Sequence, residues 1–196
     1  MTTSGIELFQ RLRQKIGETE AEALVGFVDT KIRENNEANL KTVATKEDIA
    51  KIRKGGKILQ KILHQVAKKA KLGISTWQLD QFAEAEIIKA GGRPSFKNYG
   101  GSNPFPGTLC TSVNTVVVHG IPTKKAVLKE GDIIGLDIGM EYLGMYTDTA
   151  MTVAIGKISK EAQRLLEVTQ KSLDAGIKAA KPGNRIGDIS AAVQQV

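Results

Sequence analysis

Residues 131–150, GDIIGLDIGMEYLGMYTDTA, predict a β-hairpin that carries one aspartate in each strand. Alternate side chains of a strand face opposite ways, so Asp137 shares its face with Gly135 and Gly139. The opposite face of the same strand is apolar throughout and is expected to be buried. The two glycines leave room beside the Asp137 carboxylate for a ligand.

Asp148 follows Asp137 by eleven residues, and the strands must reverse direction within EYLG. If the two aspartates are cross-strand partners, the turn centres on Tyr142–Leu143. Directly opposed residues have Cβ atoms about 4.5–5.5 Å apart, where like charges repel. Such a pair needs a shared proton or a cation, and oxygen ligands suit Mn, Mg or Zn. The alternative interpretation is that both aspartates are exposed turn residues without special pairing.

His119 ends the stretch NTVVVHGIP, where a predicted strand runs into a Gly-Ile-Pro turn. A histidine at a strand end beside a flexible glycine has the placement of a site residue. The alternative is an exposed turn histidine. His64, the only other histidine, falls in a predicted helix and is interpreted as structural or surface.

The composition is that of a globular protein, with 41% hydrophobic and 25% charged residues in 196. The apolar runs are too short to span a bilayer. Residues 1–20 contain three glutamates and no apolar core, so they do not predict a signal peptide. A single cysteine, Cys110, excludes an internal disulfide and is typical of a reduced compartment, so a cytoplasmic location is expected.

The net charge of +7 is concentrated in residues 51–97, which hold 11 basic side chains against three acidic ones. A basic stretch of this kind can contact RNA or an acidic partner. The alternative is the solvated face of an amphipathic helix.

Helical patterns precede the strands. Residues 4–45 predict one or two helices, interpreted as a helical extension over residues 1–44 that could form a short coiled coil; its apolar positions are Leu8, Leu12, Leu24, Phe27, Val28 and Ile32. From Thr45, TKED has the spacing of a capping box, and the helix it begins is expected to end near Gly73. A second helix follows over STWQLDQFAEAEIIKAGG, and residues 93–155 predict strands and turns.

Residues 159–195 repeat the organisation of residues 45–90. Ser159-Lys160-Glu161 matches Thr45-Lys46-Glu47, and KPG at 181–183 matches KLG at 71–73. Each repeat is one structural unit, so equal copies would leave roughly 70 residues of strands absent after the second pair of helices. The expected domain is an α/β (α+β) unit over 45–196, with a first half at 45–156 and the start of a second half at 157–196.

Three segments, CTSVNTVVVHGIP, GDIIGLDIGM and YTDTAMTVAIG, together resemble type I methionine aminopeptidases. The order His, Asp, Asp matches that family, as do the helix TKEDIAKIRKGGKIL and the KPG segment. The resemblance covers residues 45–196. It implies the pita-bread fold, in which two similar α/β halves face each other, here with the second half truncated after its helices.

The family removes the initiator methionine from nascent proteins with two divalent ions (Co, Mn, Fe or Zn) and a bridging hydroxide. The resemblance implies that Asp137 chelates one ion, that Asp148 bridges both, and that His119 hydrogen-bonds the scissile amide without binding metal. It also implies an apolar pocket for the methionine side chain, formed by Phe96, Tyr99, Phe105 and Cys110.

Two departures from the family pattern stand out. Relatives usually read YGGFP where this chain reads YGGSNPFP, so Ser102-Asn103-Pro104 is additional. The family's other metal ligands are one histidine and two glutamates from strands of the second half. No histidine follows His119, and the acidic residues after Asp148 lie in predicted helices. We therefore expect the 196-residue chain to be inactive alone.

Two other functions fit the same residues. One is a catalytically inactive relative that binds a partner such as the ribosome through residues 51–97. The other is a proline-specific pita-bread peptidase, although VVVHGIP and the pocket region favour methionine removal. The partners expected of the enzyme are nascent polypeptide N-termini, with no membrane or DNA.

Overall fold

A computed structural model describes residues 10–11, 13–15, 17–42 and 44–196. The chain divides into two compact units, with the boundary between Ile49 and Ala50. Within the described residues, no helix is long and apolar enough to cross a membrane.

The described residues of the first unit are mostly helical. Residues 10–11 and 13–15 are helical, Gly17 has a φ of +94°, and helix α1 spans Glu18–Thr42. Leu8 and Leu12 lie outside the described residues. The other predicted apolar positions are exposed instead of forming a buried stripe: Leu24, Phe27, Val28 and Ile32. Pairing of this helix as a coiled coil stays a prediction.

The capping box at Thr45 is confirmed. The Asp48 backbone N–H donates to Thr45 Oγ1 at 3.1 Å, and the Thr45 N–H donates to Asp48 Oδ2 at 3.0 Å. Each contact satisfies a backbone donor that the first turn of a helix would otherwise leave free. Helix α2 therefore begins at Lys46 and continues to Lys69. It ends two residues before the predicted KLG segment, and Gly73, with a φ of +83°, lies in the turn that follows.

The rest of the chain alternates between helices and one antiparallel sheet. The elements in chain order are α3 (Thr76–Lys89), β1 (Arg93–Pro94), β2 (Leu109–Val113), β3 (Ile133–Tyr142), β4 (Met145–Ala154), α4 (Lys160–Ala179) and α5 (Ile186–Gln194). In the sheet, β3 pairs with β1 and β2 on one edge and with β4 on the other.

The hydrophobic core lies between the helices α2 and α3 and the apolar face of β3. Four even-numbered positions of β3 are fully buried there, as the alternation predicted: Ile134, Leu136, Ile138 and Met140. The helices contribute apolar side chains at 3–4 residue spacing, namely Leu59, Ile62, Leu63, Val66, Leu79, Ala83 and Ile87. With this face covered by helices, the odd-numbered face of β3 is left to form a site.

The second pair of helices repeats the first in outline. Gly183, with a φ of +91°, occupies the turn between α4 and α5, as Gly73 does between α2 and α3. The α4–α5 pair differs in burial, because the large apolar side chains Leu165, Leu173, Ile177 and Ile186 are more than half exposed.

Candidate active site

Asp137 lies at the middle of β3 on the face away from the helices. It pairs with Cys110 of β2 on one side and with Ala150 of β4 on the other. Gly135 and Gly139 share its face, as predicted. A methyl group on Gly139 would stand 2.6 Å from Cε1 of Phe96, so the glycine lets that ring approach the strand.

Asp148 does not lie directly opposite Asp137. It pairs with Gly139, and the turn of the hairpin is Leu143–Gly144, one residue later than predicted. Both turn residues have positive φ, +53° and +79°, as a two-residue type I′ hairpin turn requires. Glycine suits the second turn position, and this shift of the turn makes the two aspartates diagonal neighbours on one face.

His119 was predicted at the end of a strand, and this was wrong. Strand β2 ends at Val113, because Asn114 turns the chain with a φ of +50°. His119 lies in the returning segment, itself with a φ of +55°. The next residue, Gly120, is held against β2, since the Thr111 N–H donates to the Gly120 carbonyl at 2.8 Å.

One cavity of about 320 Å³ is lined by all seven residues singled out from the sequence. These are Phe96, Tyr99, Phe105, Cys110, His119, Asp137 and Asp148. The two carboxylates and the imidazole therefore border the same space as three aromatic rings. Its size suits a small apolar side chain beside a polar group.

The additional Ser102-Asn103-Pro104 leaves the cavity intact. The Phe105 N–H donates to the Tyr99 carbonyl at 2.8 Å, and the Asn98 N–H donates to the Phe105 carbonyl at 2.8 Å. These bonds close the loop at its base, while its tip is exposed. Phe105 is thereby returned beside Tyr99 despite the extra residues.

Electrostatics in the cavity favour a bound cation. Burial, reinforced by the negative charge of Asp148, raises the pKa of Asp137 to about 6. Burial and the same carboxylates raise the pKa of the Cys110 thiol to about 12. Asp137 Oδ1 is buried without a hydrogen-bond partner, which is costly unless a cation or proton satisfies it. The oxygen donors thus fit a hard divalent ion. No group of three metal-ligating side chains occurs within the described ranges.

A larger cavity of about 620 Å³ adjoins the first and shares His119 and Asp137 with it. The sequence interpretation did not single out its apolar lining, which includes Val117, Val118, Met151, Leu166 and Leu173. The contribution of β4 to this cavity was predictable, because Ala150 and Thr152 follow Asp148 at alternate positions and therefore share its face. The contribution of α4 depends on how this helix packs against the sheet, which no local sequence pattern indicates.

Comparisons with known proteins agree with this geometry. The model of metallopeptidase family M24 matches residues 50–196. The methionine aminopeptidase of Aquifex aeolicus is 44% identical over 156 residues, which cover 77% of this chain and 60% of that protein. The structure of the methionine aminopeptidase from Thermotoga maritima superposes with a TM-score of 0.74 at 37% identity, covering 78% of this chain and 60% of that one.

The prolidase of Pyrococcus furiosus has a TM-score of 0.69 at 18% identity, with 80% of this chain and 44% of that chain covered, and shows the shared fold alone. The chain spans about 60% of the length of the curated aminopeptidase from Aquifex aeolicus.

Proposed function

The chain belongs to metallopeptidase family M24, and from that premise we propose that its function is removal of the N-terminal methionine from nascent polypeptides. The observation that carries the proposal is the single cavity in which Asp137, Asp148 and His119 border an apolar lining. Two relatives that are 44% and 47% identical to this chain, over 156 and 148 aligned residues, are methionine aminopeptidases. No finding favours the alternative of an inactive binding protein.

Two divalent ions, of Co, Mn, Fe or Zn, are the proposed cofactors, with Asp137 and Asp148 as ligands. The support is the buried, unpartnered Asp137 Oδ1 and the diagonal placement of the second carboxylate on the same face. Such ions supply a nucleophilic water of lowered pKa and polarise a peptide carbonyl. From the resemblance to methionine aminopeptidases, Asp137 would hold one of the ions and Asp148 would bind both.

His119 acts on the substrate in this proposal and does not bind metal. Its backbone is fixed in the left-handed region and Gly120 is bonded to β2, so the imidazole has a defined place at the cavity wall. From there it hydrogen-bonds the scissile amide and stabilises the charge that develops on it.

The apolar lining is the proposed pocket for the methionine side chain. Phe96, Tyr99 and Phe105 supply aromatic faces, with which a thioether makes favourable contacts. Cys110 lines the same cavity, and its raised pKa keeps the thiol neutral, as an apolar pocket requires.

The proposed partners are nascent chains in the cytoplasm. The basic stretch 51–97 is the proposed contact with the ribosome. Four basic residues form one exposed row along α2 at spacings of four and seven residues: Arg53, Lys57, Lys61 and Lys68. We propose residues 1–44 as a helical extension outside the catalytic domain.

A chimera tests the function. Residues 50–196 replace the matching segment of the Aquifex aeolicus methionine aminopeptidase, and the purified chimera is assayed on a Met-Ala-Ser peptide with Mn²⁺ or Co²⁺. We expect release of methionine, and loss of that release in the chimera carrying Asp148→Asn. A folded, metal-loaded chimera that cleaves no methionine would contradict the proposal.

A further inference from the structure

The first turn of α3 contacts the chain on both sides of the segment that carries Cys110 and His119. Thr76 and Asp80 lie one helical turn apart and therefore share a face. Both are buried, with exposed fractions of 1% and 4%. Neither is needed to begin the helix, because Ser75 and Gln78 form its capping box.

Asp80 holds the beginning of β2. Its Oδ1 accepts the backbone N–H of Thr108 at 2.7 Å and that of Leu109 at 2.9 Å. Hydrogen bonds from neutral donors to a carboxylate are roughly twice as strong as neutral ones, which compensates the burial of this charge. The next residue along β2 is Cys110, so the Asp80 carboxylate fixes the strand immediately before it lines the cavity.

Thr76 holds the chain after His119. Its Oγ1 accepts the Thr123 N–H at 2.9 Å and donates to the Thr123 carbonyl at 3.1 Å. One hydroxyl thus bonds both backbone groups of a residue four positions beyond His119, and the Trp77 N–H donates to the same carbonyl at 3.2 Å. The residues next to the two bonded positions lie close together at Gly107. A methyl group on Gly107 would stand 2.7 Å from Pro122 Cγ and 3.0 Å from Asp80 Oδ1.

The two aspartates of the cavity are held in a different way. Asp137 and Asp148 belong to the β3–β4 hairpin, whose ten residue pairs fix them relative to each other. The site therefore combines a hairpin with the carboxylates and a segment from Thr108 to Thr123, which is paired with the hairpin through β2 and is bonded to α3 at both ends.

We propose that Thr76 and Asp80 are positioning residues that set His119 against the Asp137–Asp148 pair, whereas the pairing of β2 with β3 places Cys110. This inference rests on the proposed function only for what the site acts on. Neither side chain touches the cavity, so each acts through the backbone that it anchors. Loss of either anchor moves His119 and leaves the carboxylate pair in place.

The two histidines of the chain allow a direct test by proton NMR of the full 196-residue protein. The Cε1–H resonance of His119 reports on its surroundings at fixed pH. His64, exposed on α2 on the far side of the sheet, serves as the internal control, and His64→Gln assigns the two lines. Added Mn²⁺ provides a second signal, because a paramagnetic ion at the carboxylates broadens a nearby imidazole resonance.

Thr76→Val and Asp80→Ala remove the anchors, and Thr76→Ser and Asp80→Asn keep an oxygen in the same place. We expect the first two variants to shift the His119 resonance and to lose its Mn²⁺-induced broadening, while Mn²⁺ affinity and the His64 resonance stay unchanged. The second two should resemble wild type. Asp80→Asn also separates loss of charge from loss of hydrogen bonds.

Unchanged His119 resonance and broadening in folded Thr76→Val would overturn the inference, as would Asp80→Asn or Thr76→Ser behaving like the anchor deletions. If Asp80→Ala does not fold, Thr76→Val, which removes one hydroxyl, decides alone. If Mn²⁺ fails to broaden His119 in wild type, the proposed metal site fails, and the metal-free chemical shifts still decide the role of the anchors.

Discussion

Asp148 lies directly opposite Gly139 in the β3–β4 hairpin, so the two carboxylates of the cavity are diagonal neighbours. Diagonal positions on one face are about 7–8 Å apart at Cα, with the side chains still within reach of each other. The carboxylates can therefore converge on a common point without the closest approach of directly opposed side chains. The residue across from Asp148 has no side chain, which leaves that space to Phe96.

Gly139→Ala should damage the pocket specifically. The new methyl group would collide with Phe96 Cε1 at 2.6 Å and with the Ser95 hydroxyl. We expect displacement of Phe96, a destabilisation of about 1–3 kcal/mol and loss of Met-Ala-Ser binding in calorimetry. Gly135→Ala is the matched control, because its methyl group would meet Ser112 Cβ at an ordinary 3.6 Å. Equal peptide binding by the two variants would show that Phe96 does not form the pocket.

The sequence predicts the faces of this hairpin well and its turn poorly. The apolar alternation of β3 determines which side is buried, so the placement of Asp137 opposite the core follows from residue order alone. The turn depends on which two residues adopt positive φ. Glycine at position 144 indicates the second of these two residues. A leucine rarely adopts the left-handed region, so the residue type at position 143 does not indicate the first.

Long-range anchors were beyond prediction for a different reason. Asp80 and Thr108 are 28 residues apart, and Thr76 and Thr123 are 47 apart. On the sequence, Thr76 and Asp80 look like ordinary polar positions of an amphipathic helix. Their burial becomes visible only when the sheet and the returning segment are packed against the helix.

The raised pKa of Asp137 makes a prediction about pH in the metal-free protein. Between its ordinary pKa and about 6, the folded state binds this proton more tightly than the unfolded state. The free energy of unfolding should therefore fall as pH rises through that range, relative to Asp137→Asn. Urea melts of both proteins at a series of pH values measure the difference. If the free energy of unfolding of the wild type rises with pH relative to that of Asp137→Asn, the burial of an unpaired carboxyl group is contradicted.

The apolar side chains on α4 should cause self-association. Leu173 and Ile177 are 55% and 63% exposed on a helix with an apolar stripe, and exposed patches of this kind favour contact between molecules. We expect concentration-dependent oligomers in sedimentation velocity, and a shift toward monomer in Leu173→Glu/Ile177→Glu. Lys171→Glu/Lys178→Glu on the same helix is the control for added negative charge. A wild type that sediments as a monomer at all concentrations would contradict the prediction.

The 196-residue chain should not cleave a Met-Ala-Ser peptide by itself. Asp137 and Asp148 have no third metal-ligating side chain clustered with them in the described part of the chain. Catalytic metal centres usually have three protein ligands. The assay uses pure protein with Mn²⁺ or Co²⁺, beside the Aquifex aeolicus enzyme as positive control. Turnover that disappears in Asp148→Asn would show that two carboxylates suffice.

Metal binding and substrate chemistry should separate between the carboxylates and His119. A carboxylate next to a bound cation compensates the charge of that cation whether or not substrate is present. Asp137→Asn and Asp148→Asn should therefore each sharply reduce bound Mn²⁺ in the 196-residue chain. His119→Ala should leave bound Mn²⁺ largely intact. In the chimera with the Aquifex aeolicus enzyme, the same histidine change should lower kcat by roughly 10²–10³, as for loss of one donor to a developing charge.

Elemental analysis of the dialysed proteins, beside steady-state kinetics of the chimera, measures both effects. His64→Ala is the control for loss of an imidazole, since that residue is exposed on α2. If His119→Ala empties the site, the histidine is a ligand. If Asp137→Asn stays fully loaded, the buried Oδ1 does not bind the ion. Either result reverses the assignment, because a ligand is needed before substrate arrives, whereas a hydrogen-bond donor to the scissile amide matters only once charge develops on it.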